Sequence, residues 1–204
     1  MWLLLHGFTG SPASWEPVLS AGAFEGPVVA PFLLGHGPDW QSVERSTFID
    51  EVDRLAELVA GTGEPRFVGG YSLGARIGAV LLARHPRLFA GAVFVGARLG
   101  LTDSREREAR RQLDARHAAT LRRDGLSVFI DSWEKQPLFE TQRALPPELL
   151  EAQRAIRGLH DPEGLARSLE VLGLSSMPSE PTSMASSRVT LMTGERDSKF
   201  RDLA

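Results

Sequence analysis

The sequence contains no cysteine, which excludes disulfides and thiolate metal sites. It is almost without lysine: Lys135 and Lys199 stand alone, and the other 21 of its 23 basic residues are arginine. Genome composition explains most such skews, yet guanidinium forks also hold carboxylates bidentately in a way an ammonium does not. There is no long apolar run. Met1-Trp2-Leu3-Leu4-Leu5 is too short for a membrane span or a signal peptide and has no basic flank, so we expect a strand there, no membrane partner and a cytoplasmic location. The net charge of −3 gives no electrostatic reason to expect a nucleic-acid partner. What is present is an ordinary globular balance, 42% apolar and 24% charged over 204 residues, enough for one domain with a sizeable core.

The chain is organised around Gly70-Tyr71-Ser72-Leu73-Gly74-Ala75-Arg76. An apolar run, Arg66-Phe67-Val68, precedes it, and a helical pattern from Ile77 to Ala83 follows. This is G-x-S-x-G in a strand–turn–helix setting, the context the motif needs. The turn is tight enough to strain the serine backbone, and Gly70 and Gly74 are there because a Cβ would collide with neighbouring backbone. Ser72 is thereby the candidate nucleophile or base. The N–H of Leu73 and the start of the following helix face any negative charge that develops. Upstream, the Trp2–Leu5 strand runs into His6-Gly7-Phe8, where the Phe8 N–H is a second oxyanion donor. His6 is expected to brace this loop by hydrogen bonds.

Taken in order, the chain reads as alternating strands and helices. Ser11-Pro12 caps and opens a helix with Trp15, Val18 and Leu19 as its apolar face. Gly26–Ala30 is a strand, and Thr47 caps a helix with Phe48, Val52, Leu55, Leu58 and Val59 at helical spacing. After the elbow helix, Phe89–Val95 is another strand. The pattern implies an α/β fold, a mostly parallel sheet with helices on both faces. Between about 97 and 181 strand-like alternation disappears, and helical runs over 103–123, 126–133, 146–156 and 162–172 read as a lid inserted into a single domain spanning 1–204. Within it Asp103, Glu106, Arg107 and Arg110 are expected to form a solvated, salt-bridged helix face. On residue type alone Trp133 and Phe139 read as the core of that lid.

Arg188–Met192 is a late strand, followed by Thr193-Gly194-Glu195-Arg196-Asp197. An acid in this loop is where the second member of a Ser…Asp…His order falls, so Asp197 is the candidate triad acid. No histidine follows it; the five are His6, His36, His85, His117 and His160. The expectation is a chain without the last strand and helix of its fold, an exposed sheet edge, and an activity impaired by want of the base.

Together these residues resemble 2-succinyl-6-hydroxy-2,4-cyclohexadiene-1-carboxylate synthase, an α/β-hydrolase-fold lyase of menaquinone biosynthesis. The resemblance is carried by His6-Gly7-Phe8, Gly35-His36-Gly37, Tyr71-Ser72-Leu73-Gly74-Ala75-Arg76, Trp133 with Gln136-Pro137-Leu138-Phe139, and Gly194-Glu195-Arg196-Asp197-Ser198-Lys199-Phe200. It implies that Ser72 and Asp197 are triad members, that Phe8 and Leu73 form the oxyanion hole, and that Tyr71, Arg76, Arg110, Trp133 and Arg154 bind substrate. On residue type alone Arg110 and Arg154 would be surface salt bridges. The implied substrate is a small polycarboxylate that loses pyruvate, and neither cofactor nor metal is implied. A serine carboxylesterase or C–C bond hydrolase is the alternative of the same fold, and a catalytically inactive binding module the alternative of a different class.

Overall fold

A computed structural model of the chain describes residues 1–38, 40, 46–178 and 188–195. Asp197 lies outside them. Five strands, β1 (Trp2–Leu5), β2 (Val28–Val29), β3 (Phe67–Tyr71), β4 (Gly91–Val95) and β5 (Arg188–Met192), form one parallel sheet in the order β2-β1-β3-β4-β5. The helices are α1 (Glu16–Ser20), α2 (Phe48–Ala60), α3 (Leu73–Arg84), α4 (Ser104–Trp133), α5 (Pro147–Arg157) and α6 (Pro162–Leu172). Among the described residues no helix is long and apolar enough to cross a membrane.

The strand order positions the site. From β1 the chain moves outward to β2, then returns across β1 to β3 and continues in that direction. Right-handed crossovers put connections that run in opposite directions on opposite faces of the sheet. The loops leaving β1 and β3 therefore diverge, and a crevice opens between them at the carboxyl edge. Phe8 follows β1 and Ser72 follows β3, so both stand at this crevice.

The core accounts for the central elements. Leu3, Leu5, Val68 and Phe94 are buried, as are Val52, Leu55 and Val59 of α2 and Ile77 and Leu81 of α3. Each such side chain contributes roughly 1.5–3 kcal/mol by leaving water. Thr47 caps α2 as expected, its hydroxyl accepting from the Asp50 N–H while the Asp50 carboxylate accepts from the Thr47 N–H. Ser11 and Ser14 form the same reciprocal box, but around a short 3-10 turn, Pro12–Trp15, ahead of α1. The expected apolar face of that first helix is not buried: Val18 and Leu19 are exposed. Helix α1 is only five residues long and leads to the two-residue edge strand β2, so little of the sheet lies beneath it.

Helices α4, α5 and α6 occupy the stretch between β4 and β5 where strand alternation is absent. Helix α4 runs through the expected break, bending at Gly125, whose φ of 80° only glycine adopts readily. Helices α4 and α6 bury a second cluster of their own, Ala118, Leu121, Phe129, Leu165, Ala166 and Leu169. Phe8 packs against both this cluster and the main core. The charge run at the start of α4 departs from the expected solvated face. Asp103 caps the helix, Glu106 pairs with Arg98, Arg107 donates to the carbonyls of Leu101, Ser175 and Met177, and Arg110 pairs with Asp114. Two of these four side chains are thus spent fastening the start of α4 to other segments. Strand β5 pairs only with β4 among the described residues, leaving Leu191 and Met192 exposed at the sheet edge.

Candidate active site

Ser72 has φ 52° and ψ −103°, outside the comfortable regions for a side-chain-bearing residue. The strain is held by its surroundings. Its N–H donates to Val95 O at 2.9 Å and its carbonyl accepts from the Arg76 N–H at 3.2 Å. Gly70 and Gly74 make the turn possible: a Cβ on Gly70 would lie 2.6 Å from Ala75 N, and one on Gly74 would lie 2.0 Å from Leu5 O. The Gly74 N–H donates to His6 O at 3.1 Å, which ties the first turn of α3 to the loop after β1. Neither Phe8 N–H nor Leu73 N–H donates to an acceptor among the described residues. Both residues line the same cavity as Ser72.

The Phe8 loop is braced by three buried histidines, and every one of their ring nitrogens is occupied. His6 Nε2 accepts from the Leu33 N–H at 3.2 Å, so Nδ1–H donates to Gly7 O at 2.8 Å. His36 Nε2 accepts from the Thr9 N–H at 3.3 Å, and its Nδ1–H donates to Leu34 O at 3.2 Å. His160, just beyond α5, accepts from the Gly37 N–H at 3.0 Å through Nδ1 and donates to Thr9 O at 3.1 Å through Nε2–H. Thr9, at φ 63°, is therefore gripped by its N–H and its carbonyl. Burial pushes all three rings below the usual histidine range, His6 to about 4. The bracing expected of His6 is what is seen, and His36 shares in it; the contribution of His160 had no sequence signal, because 123 residues separate it from Gly37. None of the three has a nitrogen free to act as base toward Ser72. His85 pairs with Asp53 at the far end of α3.

A cavity of about 1200 Å³ lies over Ser72, between the carboxyl edge of the sheet and α4 and α6. Phe8, Tyr71, Leu73, Arg76, Arg110 and Trp133 all line it, and so do Gly194 and Glu195 just before Asp197. Trp133 both packs and lines: its ring lies 5.2 Å from Phe8 and stacks on Phe129 at 5.4 Å. Arg154 is the exception. It is about half exposed, its guanidinium is paired with Asp131 and Glu134, and it does not line the cavity. Two carboxylates on the neighbouring end of α4 and just beyond it hold it outward. Three further lining residues, Arg98, His117 and Ser168, carried no motif.

The polar balance of the cavity is one-sided. Among the described residues six buried side-chain polar atoms make no hydrogen bond, and four of them, Arg76 Nε, Arg98 Nε, Trp133 Nε1 and Ser168 Oγ, belong to residues lining this cavity. All four carry a hydrogen to donate. A buried donor left unmade costs roughly 1–3 kcal/mol, so such a cluster is the mark of a site shaped for acceptors. Arg76 is the extreme case. It is only 9% exposed and forms no ion pair among the described residues. Burial, and then the nearby Arg110, push its pKa down to about 10, against the opposing pull of Asp114. No group of residues suited to holding a metal occurs among those described.

Comparison with known proteins agrees with this architecture. A family model described as the alpha/beta hydrolase family matches residues 2–203. The 2-succinyl-6-hydroxy-2,4-cyclohexadiene-1-carboxylate synthase of Citrobacter koseri is 33% identical over 213 residues, covering all of this chain and 80% of that protein. The same-named protein of Salmonella paratyphi C is 32% identical over 206 residues, 99% of this chain and 79% of its own. The solved structure of MenH from S. aureus superposes with a TM-score of 0.91 at 25% identity, covering 99% of this chain and 77% of that one. Fold, elbow and similarity along the whole of this chain converge: the chain belongs to the 2-succinyl-6-hydroxy-2,4-cyclohexadiene-1-carboxylate synthase family of α/β hydrolases.

Proposed function

We propose that this chain is a carbon–oxygen lyase of menaquinone biosynthesis, eliminating pyruvate from a polycarboxylated cyclohexene to give 2-succinyl-6-hydroxy-2,4-cyclohexadiene-1-carboxylate. The observation that carries the reading is Arg76, a buried guanidinium without a carboxylate partner among the described residues, in the cavity that holds Ser72. A site for neutral esters has no use for such a charge; a polyanion neutralises it. In this reading a triad base takes the Ser72 hydroxyl proton, the Ser72 oxygen abstracts a ring proton, and the proton held by the base passes to the departing enolpyruvate, which ketonises to pyruvate. The resulting charge is delocalised and met by the Phe8 and Leu73 N–H groups, while the bond to the enolpyruvyl oxygen breaks. Tyr71, Arg76, Arg110 and Trp133 hold the substrate, and α4 to α6 form the lid that excludes water. Asp197 is proposed as the triad acid; the cavity-lining position of Gly194 and Glu195 supports this.

The test is pyruvate release from the polycarboxylate, beside hydrolysis of p-nitrophenyl acetate. Arg76→Gln is expected to lower kcat/KM for the polycarboxylate about 100-fold, the worth of a charge-assisted hydrogen-bond pair, and to leave ester hydrolysis unchanged. Rapid ester hydrolysis with no pyruvate release would favour the esterase reading and sink this one.

A further inference from the structure

We propose that Arg98 is a specificity-determining residue that binds a second carboxylate of the ligand, apart from the one held by Arg76 and Arg110. The inference rests on the polyanion reading of the site given above and extends it to a residue with no motif.

Arg98 lies in the loop after β4, the strand next to the one that carries the elbow, and lines the same cavity as Ser72. Its side chain is 18% exposed. Nη2 donates to the Glu106 carboxylate on the first turn of α4, and this pair fixes the guanidinium where the chain leaves the sheet for the helices. Nε is buried and has no acceptor among the described residues, and no described residue accepts from Nη1. One carboxylate therefore orients the fork and leaves donors unspent, so an incoming carboxylate meets a preorganised group.

Arg76 and Arg110 act on one another as charges, with Asp114 beside them. Arg98 is paired with a different carboxylate, Glu106. The cationic lining thus comes from three elements: Arg76 on α3, Arg110 on α4 beside Asp114, and Arg98 after β4 beside Glu106. Glu140 and Glu195 also line the cavity, so its charge is locally and not uniformly positive. A ligand with two well-separated carboxylates satisfies both positions, whereas a monocarboxylate satisfies one.

The experiment is calorimetric titration of the full chain with benzoate and with 2-succinylbenzoate, which adds a second carboxylate on a flexible arm. Arg98→Gln is expected to weaken 2-succinylbenzoate about 10- to 100-fold and to leave benzoate within about twofold. Arg98→Lys, which keeps the charge and the anchor to Glu106, is expected to recover part of the loss and guards against a folding defect. Arg76→Gln is the control and is expected to weaken both ligands. If Arg98→Gln leaves both affinities unchanged, or weakens both equally, while Arg76→Gln weakens both, the Arg98 assignment is overturned and the polyanion site stands. If neither substitution matters, or neither ligand binds, the polyanion reading itself falls.

Discussion

Gly74→Ala is expected to abolish the native fold or to cost more than about 4 kcal/mol, well beyond an ordinary surface substitution. The added Cβ would stand 2.0 Å from Leu5 O, 2.4 Å from Leu5 C and 2.7 Å from His6 O. These are backbone atoms at the end of β1, so no rotamer change relieves the clash. The strand and α3 would have to separate, breaking the hydrogen bond from the Gly74 N–H to His6 O. That separation would also carry the Leu73 N–H away from the Phe8 loop, so any surviving protein should lose oxyanion stabilisation with its stability. Gly61→Ala is the matched control, because nothing lies within 4 Å of a Cβ there. It should change stability by less than about 1 kcal/mol. Urea denaturation of the three proteins checks the prediction, and a Gly74→Ala midpoint equal to that of the parent would refute it.

The second large effect is acid sensitivity arising from His6, His36 and His160. Each ring accepts one backbone N–H and donates to one carbonyl, which only a neutral imidazole can do. Protonation would turn the accepting nitrogen into a donor facing another donor. Desolvation by burial is the main cause of the lowered pKa in each case; the hydrogen bond to Gly7 O opposes it at His6. The folded state therefore binds fewer protons than the unfolded chain. Stability is full above about pH 6.5 and falls as pH drops toward 4, where His6 finally protonates. For His6 alone the loss across that window is on the order of 3 kcal/mol, with His36 and His160 adding in the same direction. The carboxylates act in a lower window: Arg84 and His85 hold Asp53 at about 2, so its contribution is lost only below pH 4. Denaturation midpoints at pH 7 and pH 4.5 measure the effect. His160→Gln should flatten the slope between them, and a parent midpoint unchanged over this range would be incompatible with three neutral rings.

Both effects concern the loop that carries Phe8, and they show where sequence reading succeeds and stops. The elbow was legible because its geometry leaves so few residues possible. Only glycine fits at 70 and 74, and the strand-to-helix context is written in the flanking apolar pattern. The parallel α/β sheet was legible for the same kind of reason, since short apolar runs alternating with helical periodicity bury their faces in few ways. Helices α4 to α6 were legible as helices, but their periodicity does not say what they face. Arg110 and Arg154 look alike in sequence. One lines the cavity beside Arg76, and the other is held outward by Asp131 and Glu134.

By itself, then, the sequence determined the elements whose requirements are local: the strained turn at Ser72, the caps at Ser11 and Thr47, the strand at 188–192 and the absence of thiol chemistry. Steric exclusion and short-range hydrogen bonding act between neighbours in the chain, so they leave a trace in spacing. Tertiary structure alone decided which distant groups share an environment. It brought His160 onto Thr9 and Gly37 and buried Arg76 with its Nε unpaired among the described residues. It also set Arg98 in the lining of the same cavity as Ser72. Burial and charge proximity are properties of the packed whole, and no spacing along the chain encodes them.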